Sequence, residues 1–182
     1  MTSVAQLQTS VAVTSLAGLL LVTACEPEPE LPPTDHDLID NLLWAQVSTQ
    51  EDPLSEHRPA EVSCPAGGAW QEEGASLEVD TSLCNYLAVQ QPSLLPVEAG
   101  DLINLVMWHA QLWDAEAAEA HVAVLFDSTV AWEVLIPVPS DPGIYDLEFE
   151  SPVDLAQGEP IHVHLHNHGG NTWNFLELSV VF

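Results

Sequence analysis

From about residue 62 onward, apolar and polar positions alternate with a period of two, in short runs broken by Gly, Pro, Asp and Ser. That period puts successive side chains on opposite faces of a strand. It predicts strands over 76–80, 84–90, 101–112, 120–126, 129–136, 144–150, 160–167 and 173–181. Only 114–120, rich in Ala and carboxylates, reads as helical in this half. Upstream, Leu38, Ile39, Leu42 and Leu43 recur at helix-like spacing and predict a short helix over 37–44 docked on the domain, with a strand leading into it as the alternative. About eight short strands at this spacing specify an all-β fold, an antiparallel β-sandwich over 62–182. The stretch 25–61 reads as an acidic, Pro-rich tether ahead of it, extended and self-repelling.

Two segments repeat one pattern. Val97-Glu98-Ala99-Gly100-Asp101 leads into 102–109, and Leu155-Ala156-Gln157-Gly158-Glu159 leads into 160–167. With the glycines aligned, Ile103, Leu105 and Met107 match Ile161, Val163 and Leu165, which are the predicted inward faces. A glycine turn that launches a long strand, used twice, resembles the jelly-roll domains of carbohydrate-binding modules, as does the ending 170–178. The resemblance implies a jelly-roll sandwich and, at most, a binding role.

Four histidines alternate along one predicted strand: His162, His164, His166 and His168. Because Ile161, Val163 and Leu165 claim the core, the histidines point the other way, toward solvent or a groove. Same-face neighbours on a strand stand about 6.6–6.8 Å apart. An adjacent pair can therefore share one metal at roughly 2.0–2.1 Å per nitrogen, whereas His162 and His166, about 13 Å apart, cannot. A copper or zinc site would use His162/His164 or His164/His166, with His121 from a neighbouring strand as third ligand. His109 is a weaker candidate, since the glycine alignment turns it inward. The alternative is a polar face or a histidine-lined groove without metal. Surrounded by carboxylates, these histidines are expected to hold protons more readily than free imidazole, so that stability rises as the pH falls from 8 toward 6.

The chain carries six tryptophans, and exposed aromatic faces beside carboxylates and amides suit sugar rings. Trp108, Trp113 and Trp173, with Asp114, Asn167, His168 and Asn171, are candidates for one ligand-binding rim; packing in the core is the competing reading for each Trp. No nucleophile elbow, phosphate-binding glycine loop, zinc-protease helix or calcium loop occurs, so no catalytic residue is assigned.

Charge narrows the partners. All 28 acidic residues lie beyond Cys25, against one basic residue, Arg58. Such a field repels nucleic acid. The apolar stretch 11–22 is shorter than the roughly 18–20 residues that span a bilayer. It ends in Val22-Thr23-Ala24-Cys25 and a Pro/Glu run. This stretch resembles the signal peptide and lipobox of a bacterial lipoprotein, although its first ten residues lack Lys and Arg. The resemblance implies a signal peptide over 1–24, lipidation at Cys25, and a membrane-anchored, extracytoplasmic protein of the cell envelope, at the outer membrane or cell surface. Cys64 and Cys84 then remain as a pair, which in an oxidising compartment forms a disulfide. Closing a loop of about 20 residues contributes roughly 3 kcal/mol. Three functions fit these observations: a binding or accessory module for glycan or an envelope protein, a copper or zinc protein, and a structural envelope component.

Overall fold

A computed structural model describes residues 36–73 and 75–181. The strands in chain order are β1 (Ala45–Gln46), β2 (Trp70–Glu73), β3 (Ser76–Asp80), β4 (Tyr86–Pro92), β5 (Leu102–His109), β6 (Ala118–Phe126), β7 (Thr129–Val138), β8 (Gly143–Glu150), β9 (Pro160–His166) and β10 (Thr172–Val180). They form two five-stranded antiparallel sheets, β1-β4-β9-β6-β7 and β2-β3-β10-β5-β8. From β4 on, the chain changes sheet at every step except the β6–β7 hairpin, as the jelly-roll resemblance implies.

The core lies between the sheets and follows the period of two. Ile161, Val163 and Leu165 of β9 and Val122, Val124 and Phe126 of β6 face Ile103, Leu105 and Met107 of β5 and Trp173, Phe175, Leu178 and Val180 of β10; all are buried. The inward face of β10 survives a break in its own alternation because a bulge between Phe175 and Glu177 inserts Leu176 and resets the register.

The internal repeat is real in three dimensions. Gly100 and Gly158 both take left-handed backbone, with φ of 94° and 91°. Each turn is closed by the carboxylate that follows its glycine: Glu98 N–H donates to Asp101 Oδ2 at 2.8 Å, and Ala156 N–H to Glu159 Oε2 at 2.7 Å. Val97 and Leu155 bridge the two turns to each other. The matched strands β5 and β9 then enter opposite sheets and present their aligned apolar residues to one another.

Two helix expectations fail. Over 37–44 the backbone is committed elsewhere: Leu38 N–H donates to Leu178 O, Asp40 Oδ1 takes Leu42 N–H in a local turn, and Asn41 Oδ1 takes Trp44 Nε1–H. Over 114–120, Asp114 Oδ1 caps the turn at Ala115 and Glu116, and Ala118 already pairs with Val138. Both segments are shorter than a helix needs to stand alone, so a bridge to β10 and a local turn win over 37–44 and strand pairing wins at the end of 114–120.

Residues 36–61, expected as tether, pack against the sandwich. Leu38 is wholly buried, Trp44 nearly so, and β1 pairs with β4. Cys64 and Cys84 form a disulfide, and Ser63 and Asn85 exchange two hydrogen bonds beside it. The signal segment and Cys25 lie outside the described residues.

Candidate functional site

The outer faces of the two sheets have opposite characters. On β1-β4-β9-β6-β7, the histidines of β9 do point away from the core, yet they are not exposed. His121 is 6% exposed, His162 7% and His164 2%. Segment 47–60 lies over them. The row through His164 explains why it fits: its partners are Ala88 on β4 and Ala123 on β6, two small side chains that leave a trough. Val47 fills one end against Tyr86 and Ala88, and Leu54 the other against Ala123, Leu125 and Val130. Between them the 3-10 turn Ser55–His57 sets the His57 ring 4.6 Å from His121 and 5.7 Å from His164, centroid to centroid.

The only cation with a fixed charge sits here. Arg58 Nη1 donates to Asp52 Oδ2 at 2.7 Å and its guanidinium lies 4.9 Å from the Tyr86 ring centroid. Tyr86 Oη–H donates to the same Asp52 oxygen at 2.6 Å, and Leu54 N–H donates to Oδ1 at 3.0 Å. Burial and the adjacent Asp52 carboxylate push the Tyr86 hydroxyl well above the usual phenol range.

His121 does come beside His164, 4.9 Å between centroids, as expected of a neighbouring-strand partner. Its Nε2 is taken by Glu133 at 3.0 Å. Among the described residues no three His, Cys, Asp or Glu side chains converge to hold a metal ion. His121 Nδ1, His162 Nδ1 and both nitrogens of His164 are buried without a hydrogen-bond partner. Burial, reinforced by His121, His57 and His166, pushes His164 down to about 3. Burial lowers His162 against the pull of Asp127 and Asp52, and lowers His166 together with His168, His57 and His121. The expectation of proton-loving histidines is thus reversed for these three: desolvation outweighs the carboxylate field because segment 47–60 excludes water.

The proposed rim divides. Trp173 is wholly buried between the sheets, 4.7 Å from the His109 ring, and lines no rim. His109 is inward too; its Nδ1–H donates to Ala110 O, and Gly143 is required beside it because a Cβ there would lie 2.5 Å from His109 Nε2. Asn167 and Asn171 are buried loop braces: Asn167 Nδ2 donates to Thr81 Oγ1, and Asn171 Oδ1 accepts Trp113 N–H. Asp114 caps its own turn. Trp113 and His168 are exposed, Trp113 at 62%. Gly169 makes their loops meet, since a Cβ on it would strike Trp113 O at 2.1 Å.

Trp108 lies on the outer face of the second sheet, half-buried. Register puts Gln71, Glu78, Asn174, Trp108 and Ile144 in one row across all five strands. Ile144 is 81% exposed. Asp146 and Glu148 follow along β8, and Asn104 Nδ2 donates to Glu177 Oε1 on the next strands. Burial and the neighbouring Glu73 raise the Glu78 carboxyl. Of this row only Trp108 was named from the sequence, although Ile144 was legible too: in 143–150, Tyr145, Leu147 and Phe149 pack against the core, which leaves Ile144 as an apolar residue on a polar face.

No protein-family model matches the chain, and no curated protein matches it. Solved structures with a similar arrangement include carbohydrate-binding modules. One described as CBM4 aligns at TM-score 0.42 and 9% identity, over 78% of this chain and 87% of its own. The N-terminal cellulose-binding domain of a Cellulomonas fimi β-1,4-glucanase C aligns at 0.41 and 13%, over 66% and 86%. A family 16 carbohydrate-binding module aligns at 0.36 and 11%, over 66% and 85%.

Proposed function

We propose that the chain is a lipid-anchored, extracytoplasmic binding module that takes uncharged glycans on the outer face of β2-β3-β10-β5-β8. The Gln71–Glu78–Asn174–Trp108–Ile144 row carries this reading. It places an apolar platform, Trp108 with the exposed Ile144, in line with the Gln71 amide and the Glu78 carboxyl, which can hydrogen-bond hydroxyls, while the buried Asn174, accepting from Ser76 Oγ, braces the row. Strands about 4.8 Å apart make the five-strand row roughly 19 Å long, room for several sugar rings. Glu78, Asp146, Glu148 and Glu177 disfavour anionic sugars there. The opposite face is filled by the chain's own segment 47–60 and offers no comparable platform. Anchoring rests on the Cys25 pattern, and the Cys64–Cys84 disulfide supports an oxidising compartment.

Glycan-array screening followed by titration calorimetry with soluble neutral oligosaccharides tests the binding. Trp108→Ala and Ile144→Ser are expected to weaken it by about 10-fold or more, equivalent to about 1.4 kcal/mol, with Ile144→Ser leaving the melting temperature unchanged. No retained neutral glycan, or wild-type affinity in both variants, would overturn the reading. Cys25→Ser is expected to move the protein from the membrane fraction to the soluble one.

A further inference from the structure

We propose that segment 48–60 is an acid-released strap: protonation of His164 lifts it from the outer face of β4-β9-β6 while the sandwich stays folded. The strap is built to open locally. It is fixed at one end by Val47 N–H to Ala88 O and the β1–β4 pairing, and at the other by Ser63, Asn85 and the disulfide. Between those anchors its own backbone bonds are internal, from Glu51 to Ser48, Ser55 to Asp52, His57 to Leu54 and Arg58 to Ser55. Contact with the sheet there runs through side chains and one backbone carbonyl: Leu54 in its apolar trough, His57 on the imidazoles, Arg58 over the Tyr86 ring, and the Asp52 carboxylate and Leu54 O at the Tyr86 hydroxyl.

The charge lands where the closed strap cannot accommodate it. The His164 ring is met by His57 from the strap, His121 from β6, Tyr86 from β4 and His166 on its own strand. None of these is an anion. The nearby carboxylates are engaged elsewhere, Asp52 by Arg58 and Tyr86, and Glu133 by His121. Asp127 and Asp52 act on His162, not on His164. Neither nitrogen of His164 has an acceptor. A proton on this ring is therefore stabilised only by admitting water, and the least-bonded cover is the strap. Opening exposes a trough of Tyr86, Ala88, Ala123, Leu125 and the β9 histidines, an aromatic and imidazole surface absent at neutral pH.

Hydrogen exchange on the intact chain tests this. With His164 held at about 3 when closed and at its ordinary value of about 6.5 when open, the opening constant rises about 30-fold between pH 7.5 and 5.0. Protection of 48–60, corrected for intrinsic rates, is expected to fall by that factor while β5 keeps its own. Unchanged strap protection overturns the proposal, as does parallel loss in the strap and β5. His164→Met is expected to keep the strap closed at pH 5.0, and opening in that variant also overturns it. If the variant does not fold, NMR titration of the wild-type imidazoles decides. His164 must take its proton at the pH where the strap opens, and protonation beneath a protected strap refutes the idea.

Discussion

Arg58→Met removes the one fixed positive charge of a chain whose formal net charge is −27. Asp52 has a side chain only 1% exposed and Arg58 one 15% exposed. The carboxylate keeps Tyr86 Oη–H and Leu54 N–H after the substitution, so its hydrogen bonding is only partly lost. Its counter-charge is lost entirely. Breaking a buried pair from one side costs about 3–5 kcal/mol because the other charge stays buried. With two donors retained, about 3 kcal/mol is expected. Asp52→Asn is milder, about 1–2 kcal/mol, since the guanidinium can still reach water and its face still rests on Tyr86. The double variant is the decisive arm. It buries no lone charge and is expected to be about 1 kcal/mol more stable than Arg58→Met alone. Urea denaturation at pH 7.5 measures all three, with strap exchange as local readout, because any loss beyond the strap's own closing energy appears as opening. Raising the salt should change the differences little, since a buried pair is weakly screened. A cost below about 0.5 kcal/mol for Arg58→Met, the range of exposed pairs, would refute this account of the site. So would a double variant as unstable as the sum of the two singles.

Three further outcomes follow from the fold. Urea stability should fall as the pH drops below about 6.5, because the unfolded chain binds protons that buried His162 and His164 and half-buried His166 refuse; His164 alone accounts for about 1.4 kcal/mol at pH 5.5 while the strap stays closed, and a rise between pH 7 and 5.5 would contradict it. Removing the disulfide with Cys64→Ala/Cys84→Ala, which frees a sequence separation of 20, should cost roughly 3 kcal/mol by denaturant midpoint. Gly100→Ala and Gly158→Ala each force a side chain into left-handed backbone in the same kind of turn, so both should cost about 1 kcal/mol, and nearly equally.

The sandwich was legible because burial on one face imposes period two. Ile103, Leu105 and Met107, and Ile161, Val163 and Leu165, could be placed inward from spacing alone; that they face one another from opposite sheets came only with the fold. Short edge pieces were not legible. β1 is two residues long, and in β2 only Trp70 is buried, so neither carries a period. The histidine face shows a different limit. Alternation correctly turned His162, His164 and His166 away from the core, but it cannot say what covers the far side. The cover came from 47–60, whose Pro and acidic content reads as tether. Val47, Leu54 and His57 are the residues that dock it, spaced for a trough whose width is set by Ala88 and Ala123 on other strands. That information is divided among three segments remote in sequence, and only pairing register joins it.

The same division decides which charges govern the response to acid. The carboxylates dominate the composition, and their mutual repulsion suggests a protein relieved by protons. Exposed carboxylates release that strain only near their own range, around pH 4. Between pH 7 and 5 they stay ionised on the folded and unfolded chain alike and contribute little slope. The groups that differ between those states in this window are the imidazoles that the strap keeps dry. Stability should therefore fall first, on account of three histidines, and carboxylate relief can enter only below that. The strap is what sets this order: in a chain with the same composition but an uncovered histidine face, solvated imidazoles amid carboxylates would hold protons more readily, and the slope between pH 7 and 5 would change sign.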